Sequence, residues 1–365
     1  MPDLGGIKAG TGRLLRQRLQ PAGRWLSREY RRESESLAAY SGLVRQAFRT
    51  EPFRPWVVPD VHVDGVWHPC TVLAPQESPA RRERDNAIHH YGHDVVLKRW
   101  AGLPPVGRPL PVLLEHGVKF SPDAAFEKPE SWTRIYLCMG EQRAAVLRQR
   151  HGLPAEAVGP FLRYAQPVLA EDELEALRQQ LGPCLLVIPP HSLDRIPRHW
   201  DQQRFHAAVD EICARRGFRS VIWMGHWKDG LPPDLPAHWI PACNGHRSNP
   251  WFLDAQRTLF ALAGGMVTCA LGTHVGYAQA LGVPILLLKL AVEQDFSGRS
   301  EKNRLSETQE WDDRASLIEA LAPGLEQGAW TGLDPAEVTR LLDPYFGVAR
   351  HRDPATMARL LAGET

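Results

Sequence analysis

Four short segments of the chain place histidine beside other side chains that can hold an anion or move a proton. They are Pro189 to Arg195, Gly225 to Asp229, Cys243 to Arg247 and Gly272 to His274. Histidine, hydroxyl, lysine and arginine side chains are groups that bind phosphate oxygens and offset their charge. Segments that only connect structural elements need turn residues and no such chemistry. The four segments therefore predict one shared ligand site.

The segment at Gly272 gives the most specific prediction of the four, an anion site at the start of a helix. An apolar run precedes it, and Thr273 is predicted to cap a helix over residues 274–281. The free N–H groups and the dipole at such a helix end favour an anion, and Gly272 lets the ligand approach the backbone. Many strand–turn–helix units bind no ligand. Taken by itself, this segment is therefore consistent both with an anion site and with a purely structural turn. Across the four segments we assign ligand contacts to His191, Ser192, Arg195, His226, Lys228, Asn244, His246, Gly272, Thr273 and His274.

A second chemical pair, Glu115 and His116, directly follows the apolar run from Pro111 to Leu114. Gly117 permits a sharp turn after the pair. Either side chain can serve as a general acid or base. A carboxylate in this position can equally satisfy backbone N–H groups of a neighbouring element. We predict that this pair takes part in catalysis, with the structural role as the alternative.

Metal and cofactor signals are weak in this chain. His89 and His93 have the i, i+4 spacing of metal ligands on a helix predicted over residues 85–100, but no third ligand lies at a fixed offset. No Asp-x-Asp pair is present, and no G-x-G-x-x-G follows the first strand of the second series. We therefore predict no metal and no nicotinamide cofactor.

The elements that must position these groups alternate between strand and helix. Strands are predicted over 111–114 and 134–139, and a helix over 140–150. A second series has strands over 184–188, 220–224, 239–242, 266–270 and 285–288, with helices over 199–216 and 249–263. Alternation of this kind is typical of α/β proteins with parallel, doubly wound sheets. Ligands of such sheets lie beyond the carboxyl ends of the strands, where the four histidine segments begin.

The length of 365 residues favours two domains of ordinary size. We divide the chain into a basic helical extension (1–50), a first α/β domain (51–165), a second α/β domain (180–292) and C-terminal helices that pack back across both (293–365). Residues 57–67 are predicted to form a hairpin around Asp64-Gly65. No repeat or low-complexity segment interrupts this plan.

Charge and cysteine usage bear on partners and location. The net charge of +1 gives no argument for nucleic acid, but residues 1–55 hold 11 Lys/Arg against 5 Asp/Glu. Residues 12–50 could contact an anionic membrane surface, or pack on the protein with a solvated basic face. Six cysteines lack a Cys-x-x-Cys pair, and no apolar run is long enough to span a bilayer. We expect a cytoplasmic protein that can associate with the inner face of the plasma membrane.

The segment from Gly272 to Pro284 resembles the pattern G-T-H-x-G-Y-x-x-A-x-G-x-P of bacterial surface-polysaccharide glycosyltransferases with the GT-B fold, enzymes of lipopolysaccharide or capsule synthesis. Within that group the chain is most similar to retaining β-Kdo transferases, which use CMP-Kdo. Further similarities lie at Pro190 to Ser192, Trp223 to Lys228 and Gly245 to His246. The resemblance covers about residues 110–290.

This resemblance implies a cleft between two Rossmann-like domains, the second holding a nucleotide sugar and the first a glycan or lipid-linked acceptor. It also implies an aspartate nucleophile, for which Asp194 is the matching residue, with Asp229 as its competitor and Glu115 as the acid/base partner. Two other functions stay open: a nucleotide-sugar epimerase on the same scaffold, and a module that binds nucleotide sugar or glycan without catalysis.

Overall fold

The computed structural model of the protein describes residues 83–104, 109–124, 127–191, 196–226, 229, 232–247, 249–296 and 300–365, with the side chains of residues 302 and 303 left out. The predicted helices of residues 12–50 and the predicted hairpin of residues 57–67 lie outside these residues. No helix of the described part is long and apolar enough to cross a membrane.

The first sheet lies near the start of the described chain. Its three parallel strands are β1 (Val112–Leu114), β2 (Ile135–Cys138) and β3 (Ala155–Ala157). Every residue of β1 and β2 is buried, as expected of parallel strands covered on both faces. The helices of this region are α1 (Asn86–His89), α2 (His93–Trp100) and α3 (Glu141–His151).

The second sheet is larger and is also mainly parallel. The strands that follow the first sheet are β4 (Cys184–Val187), β5 (Arg198–Trp200), β6 (Ser220–Gly225), β7 (Ile240–Cys243), β8 (Gly265–Thr268), β9 (Ile285–Leu288), β10 (Val292–Gln294) and β11 (Trp330–Gly332). Six of them form one sheet in the order β11-β9-β8-β4-β6-β7, while β5 and β10 form a separate antiparallel pair. Among these six described strands, only β11 runs antiparallel to its neighbour. The α/β class is thereby confirmed, and the two-domain GT-B arrangement stays a prediction.

Helices complete the described fold. They are α4 (Glu171–Leu181), α5 (Gln202–Arg216), α6 (Phe252–Leu262), α7 (Thr273–Ala280), α8 (Glu301–Leu321), α9 (Pro335–Phe346) and α10 (Pro354–Leu361). The C-terminal part of the chain contacts residues that are distant in sequence. Phe346 lies where a side chain on Gly276 would be, Trp100 donates to the Arg352 carbonyl, and Glu310 accepts from the backbone of Phe120.

Three predicted helix starts are wrong, and one of them is that of α6, which was predicted from Asn249 and begins at Phe252. The helix predicted from His199 begins at Gln202, because residues 198–200 pair with β10 and the Asp201 side chain caps the helix by accepting from the Arg204 N–H. Thr273 is not the cap of α7, since Gly272 occupies that position and Thr273 is the first helical residue.

The helix predicted over residues 85–100 is also wrong as a single element. Tyr91 has φ 59° and ψ 13°, and Gly92 has φ 67°, so the chain turns left-handed between α1 and α2. The Tyr91 N–H donates to the carbonyl of Arg247 at 2.6 Å. A long-range hydrogen bond thus holds a backbone conformation that local propensity disfavours.

Candidate active site

The large sheet changes its winding direction between β4 and β8. Going from β4, the chain proceeds to β6 and β7 on one side and then returns to β8 and β9 on the other. Open α/β sheets bind ligands at the carboxyl edge of such a switch point, and we call this edge the crevice. His191 follows β4, and the segment from Gly272 to His274 follows β8.

Histidines from three of the predicted segments meet in this crevice. The rings of His191 and His226 stack with centroids 4.4 Å apart and planes 14° apart. Burial, with smaller contributions from His191 and His246, lowers the pKa of His226 to about 2. Burial and then His191 also lower the pKa of His274 to about 3. His226 and His274 are therefore neutral at pH 7, although both keep some exposure to solvent.

Asn244 and His246 occupy the loop after β7, and both are buried. The Asn244 side-chain nitrogen lies 3.6 Å from the Met224 sulfur, and the Asn244 carbonyl accepts from the Asn249 side chain at 2.9 Å. Gly245 adopts φ +83°, which turns the chain between the two residues. The loop is thus held mainly by its own neighbours, and it contributes His246 to the electrostatic surroundings of His226.

The N-terminus of α7 lies directly after the loop that follows β8. The backbone N–H groups of Thr273 and His274 belong to the first turn of the helix, which has no intrahelical partner for them. The two side chains are used within the protein: Thr273 Oγ1 accepts from the Val118 N–H at 3.1 Å, and His274 Nε2 lies 3.1 Å from both the Thr268 hydroxyl and the Ala270 carbonyl. Thr273 still has its hydroxyl proton to donate to a ligand.

Two arginines that the sequence interpretation did not select lie at the same end of the crevice. Arg198, buried on β5, donates to the His191 carbonyl at 3.1 Å and lies 5.2 Å from the ring centroid of Trp311. Arg314 on α8 donates to the Leu271 carbonyl at 2.8 Å. Burial and then Arg314 lower the pKa of Arg198 to about 10. Arg198 therefore stays charged at pH 7, while Arg314 is paired with Glu310 on its own helix at 3.0 Å.

Glu115 lies across from α7, at the end of β1. It is 1% exposed, and it accepts from the Met139 N–H at 2.7 Å and more weakly from the Lys119 N–H at 3.4 Å. Burial raises its pKa to about 8, against the lowering effect of these hydrogen bonds and of Arg143. Glu115 is therefore mainly protonated at pH 7, as a carboxyl group that can act as a general acid must be.

His116 follows Glu115 in the loop after β1. Its side chain is exposed to solvent, yet desolvation lowers its pKa to about 4. The exposure and the lowered pKa are compatible, because protein atoms surround most sides of the ring and water reaches the remaining side. The Tyr91 ring lies 5.1 Å from it and the His90 ring 5.6 Å, and burial lowers the pKa of His90 to about 3. His116 thus belongs to a neutral aromatic group beside Glu115.

The two sides of the crevice are in direct contact. The hydrogen bond from Val118 to Thr273 joins the loop after β1 to α7, and a side chain on Gly117 would lie 3.4 Å from the same Thr273 hydroxyl. The bond from Tyr91 to Arg247 joins the turn between α1 and α2 to the loop after β7. The loop that begins at Glu115 and the first turn of α7 are therefore packed against each other, with the Glu115 carboxyl buried beneath them.

Four of the predicted site residues cannot be placed, because Ser192, Asp194, Arg195 and Lys228 lie outside the described residues. Asp229 is described, and its Oδ2 lies 4.0 Å from His226 Nδ1. Within the described part, no group of three or more His, Cys, Asp or Glu side chains could hold a metal ion. His93 uses Nδ1 for a hydrogen bond to the Ala87 carbonyl at 2.9 Å.

His90 and Tyr91 lie beside the predicted site residue His116, and the sequence interpretation did not select them. The available signal was the run His89-His90-Tyr91-Gly92-His93, in which glycine follows an aromatic residue among histidines. That run fitted a helix by hydrophobic periodicity, and its left-handed turn depends on a partner about 155 residues away in sequence.

No protein-family model and no curated protein matches this chain. Among solved structures, it is similar to UGT2 of Phytolacca americana in complex with UDP-2fluoro-glucose and pterostilbene, with 15% identity and a TM-score of 0.28 over 63% of this chain. It is also similar to TcCGT1 in complex with UDP, with 12% identity and a TM-score of 0.27 over 90% of this chain. The chain spans 49% and 64% of the lengths of these two structures. Likenesses of this size carry no argument about function, which must come from the chain's own residues.

Proposed function

We propose that this protein is a glycosyltransferase that takes its sugar from a nucleotide sugar. One observation supports the proposal: groups that could bind an anion collect at the switch point, beside the loop that begins at Glu115. These groups are the first-turn N–H groups of α7, the His191–His226 stack and Arg198. Glu115 itself is buried, and its raised pKa keeps it mainly protonated at pH 7.

Sugar transfer requires that a leaving phosphate be stabilised while a proton is moved at the acceptor. Donors fixed in place before the reaction stabilise developing charge without reorganisation, and the end of α7 with its histidines provides such donors. A bound phosphate favours protonation of His226 and His274, which are neutral without it. The phosphate can then be neutralised by protein groups, and we propose that transfer needs no divalent ion.

The finer assignment follows the family resemblance. We propose CMP-Kdo as the donor, transfer with retention of configuration, and a bacterial surface glycan or lipid-linked glycan as the acceptor. Asp194 is the proposed nucleophile, and Asp229, near His226, is its competitor. Asp194→Asn should retain nucleotide affinity and lose at least about a thousandfold in turnover. A variant with more than about a tenth of the activity would move the role to Asp229.

The alternatives predict different products. An epimerase would release a rearranged nucleotide sugar without any acceptor, and a binding module would bind nucleotide and release nothing. A thermal-shift series with CMP, UDP, GDP and ADP identifies the nucleotide, since a ligand at 100 times its Kd stabilises by about 2.7 kcal/mol. Product analysis with the matching nucleotide sugar, with and without EDTA, then separates the three functions. Loss of turnover in EDTA that Mg²⁺ restores would contradict the metal-independent proposal.

The role of α7 is tested at Thr273. Thr273→Ala should weaken nucleotide binding about fivefold or more, which is the effect of losing a hydrogen bond to a charged group. Thr273→Ser should restore the affinity because it keeps the hydroxyl. Thr308→Ala on the exposed face of α8 is the matched control, since its hydroxyl donates to the Arg304 carbonyl of its own helix. Equal nucleotide affinity in Thr273→Ala and the wild-type protein would remove Thr273 from the site.

The basic segment of residues 12–50 is proposed to bring the enzyme to membranes that carry the acceptor. Deleting residues 1–50 should reduce cosedimentation with anionic liposomes and leave nucleotide binding intact. Equal liposome binding by both chains would assign the segment to packing on the protein.

A further inference from the structure

The ring of His274 is held through one of its two nitrogens. Nε2 lies 3.1 Å from the Thr268 hydroxyl oxygen and 3.1 Å from the Ala270 carbonyl oxygen. A carbonyl oxygen can only accept a hydrogen bond, so the proton of this contact lies on Nε2. A lone pair on Nε2 would instead face the lone pairs of the carbonyl. The contact with Ala270 therefore selects the neutral tautomer of His274 that carries its proton on Nε2.

Thr268 holds the turn that makes this contact. It is the last residue of β8, and its side chain is fully buried. Its hydroxyl donates to the Ala270 carbonyl at 3.1 Å and accepts from the Ala270 N–H at 3.3 Å. The same oxygen can also accept from His274 Nε2, because a hydroxyl has two lone pairs. Thr268 thus fixes both acceptors of the Nε2 proton and is a positioning residue for the ring.

The other ring nitrogen, Nδ1, lies against Gly272 at the start of α7. A Cβ on Gly272 would lie 3.0 Å from Nδ1 and 2.9 Å from Cε1 of His274. Gly272 has an extended backbone, with φ −166°, that any residue can adopt. Glycine is therefore needed here to leave room for this edge of the ring. In the described part of the chain no hydrogen bond involves Nδ1, so its lone pair stays available to a ligand.

The groups around His274 keep the ring neutral. Burial is the main cause of its lowered pKa, and His191 and Arg314 lower it further. His191 belongs to the loop after β4, and Arg314 on α8 reaches the same turn, where it donates to the Leu271 carbonyl at 2.8 Å. Arg314 is itself paired with Glu310. Among the described groups, only the Ala270 carbonyl favours the charged ring, so an anion bound beside Nδ1 would supply the missing opposite charge.

We propose that His274 binds the phosphate of the donor through Nδ1 and takes up one proton from solvent at Nδ1 when the phosphate binds. The neutral ring has no proton on Nδ1, so it can donate to a phosphate oxygen only after this uptake. The Nε2 proton stays on the contact with Thr268 and Ala270 in both states. The inference rests on the nucleotide site proposed above, and it adds that nucleotide affinity depends on pH and on a buried threonine.

The first test measures proton uptake by calorimetry. CMP is titrated into the full chain at one pH in Hepes and in Tris, whose heats of ionisation differ, and the difference in binding heat gives the number of protons taken up. His274→Asn keeps a hydrogen-bonding group where Nδ1 lies but cannot be protonated, so it should take up about one proton fewer per CMP than the wild-type protein. His238→Asn is the matched control, because His238 is exposed and pairs with Asp210 on α5. It should take up as many protons as the wild-type protein.

The second test reads the tautomer by NMR of protein with ¹⁵N-labelled histidine. In the free protein His274 should carry its proton on Nε2 alone, and CMP should add a proton on Nδ1; the signals are assigned by their loss in His274→Asn. Thr268→Val removes the hydroxyl that holds Ala270. It should produce a second population with the proton on Nδ1 and weaken CMP binding about fivefold. Thr268→Ser keeps the hydroxyl and should restore both the tautomer and the affinity.

Three results would overturn the inference: a proton on Nδ1 of His274 in the free protein, equal proton uptake by the wild-type protein and His274→Asn, or an unchanged tautomer and CMP affinity in Thr268→Val. Any of them, together with normal CMP binding, would leave the proposed nucleotide site standing. Failure of CMP, UDP, GDP and ADP to bind would contradict the proposed function and the proton uptake together. The tautomer of the free protein would then still decide whether Thr268 and Ala270 position the ring.

Discussion

Glu115 shows how burial keeps a carboxyl group protonated at neutral pH. The side chain is almost fully desolvated at the end of a strand, and two backbone N–H groups only partly compensate its charge. Its pKa of about 8 lies far above the ordinary value of 4.5. The folded state therefore binds a proton that the unfolded state releases between these two values.

The raised pKa of Glu115 predicts how the free energy of unfolding changes with pH. Because the folded pKa is raised, its contribution is complete below about pH 4.5 and is lost as pH rises toward 8. Glu115→Gln keeps the shape and removes the titration. Between pH 5 and pH 8, urea unfolding should show the variant gaining on the wild-type protein by up to about 1.4 kcal/mol per pH unit.

Glu130→Gln, at an exposed position, is the control for this measurement. It should run parallel to the wild-type protein across the same pH range. A Glu115→Gln profile that also runs parallel would show that Glu115 is ionised in the folded protein, and it would remove the residue as a general acid at neutral pH.

At the scale of elements, the turn between α1 and α2 decides where Tyr91 points. Gly92 has φ +67°, and a Cβ there would lie 2.2 Å from the Pro250 carbonyl oxygen. That oxygen belongs to the backbone, so it cannot move aside as a flexible side chain could. The turn and the start of α6 therefore fit together only with glycine at this position.

Gly92→Ala should cost several kcal/mol of unfolding free energy, because it combines strain with a backbone clash. Gly102→Ala separates the two effects: Gly102 has φ +68°, but a Cβ there would meet nothing within 4 Å. It should cost only about 1 kcal/mol. Thermal or urea unfolding of both variants measures the difference, and equal losses would show that the contact with Pro250 is not close.

At the scale of the whole molecule, α8 ties the loop after β1 to the rest of the chain. Glu310 is 9% exposed and accepts from the backbone N–H groups of Phe120 and Ser121, with the shortest distance 2.8 Å. It also pairs with Arg314 at 3.0 Å. The helix that carries Arg314 thus also holds the segment that follows Glu115.

Removing the Glu310 side chain should loosen the loop after β1 and the position of Arg314. Glu310→Ala leaves two buried N–H groups without an acceptor and should destabilise the protein by about 2–4 kcal/mol. Gln309→Ala changes the exposed neighbour and should stay within about 0.5 kcal/mol of the wild-type protein. Hydrogen exchange of Phe120 and Ser121 checks the cause, since only Glu310→Ala should accelerate it. Unchanged protection there would show that other contacts hold the loop.

Local patterns along the chain were enough to locate five of the six described strands of the large sheet and the edge at which its histidines lie. The strand predicted over 285–288 matches β9, and β4, β6, β7 and β8 differ from prediction by one or two residues at their ends. β11 falls in the region that was predicted to hold only helices. These positions follow from hydrophobic runs of a few residues. Since the carboxyl ends of parallel strands share one edge, the meeting of His191, His226 and His274 could be expected from the order of the predicted elements.

Which groups meet at that edge, and in what protonation state, depends on the packing of distant segments. The placement of β4 beside β8 creates the crevice. The partner of Thr273 is Val118, 155 residues away, and the left-handed turn at Tyr91 depends on Arg247. The raised pKa of Glu115 depends on atoms from several elements. Strand order, long-range hydrogen bonds and desolvation are properties of packing, and local patterns in a sequence carry no direct record of them.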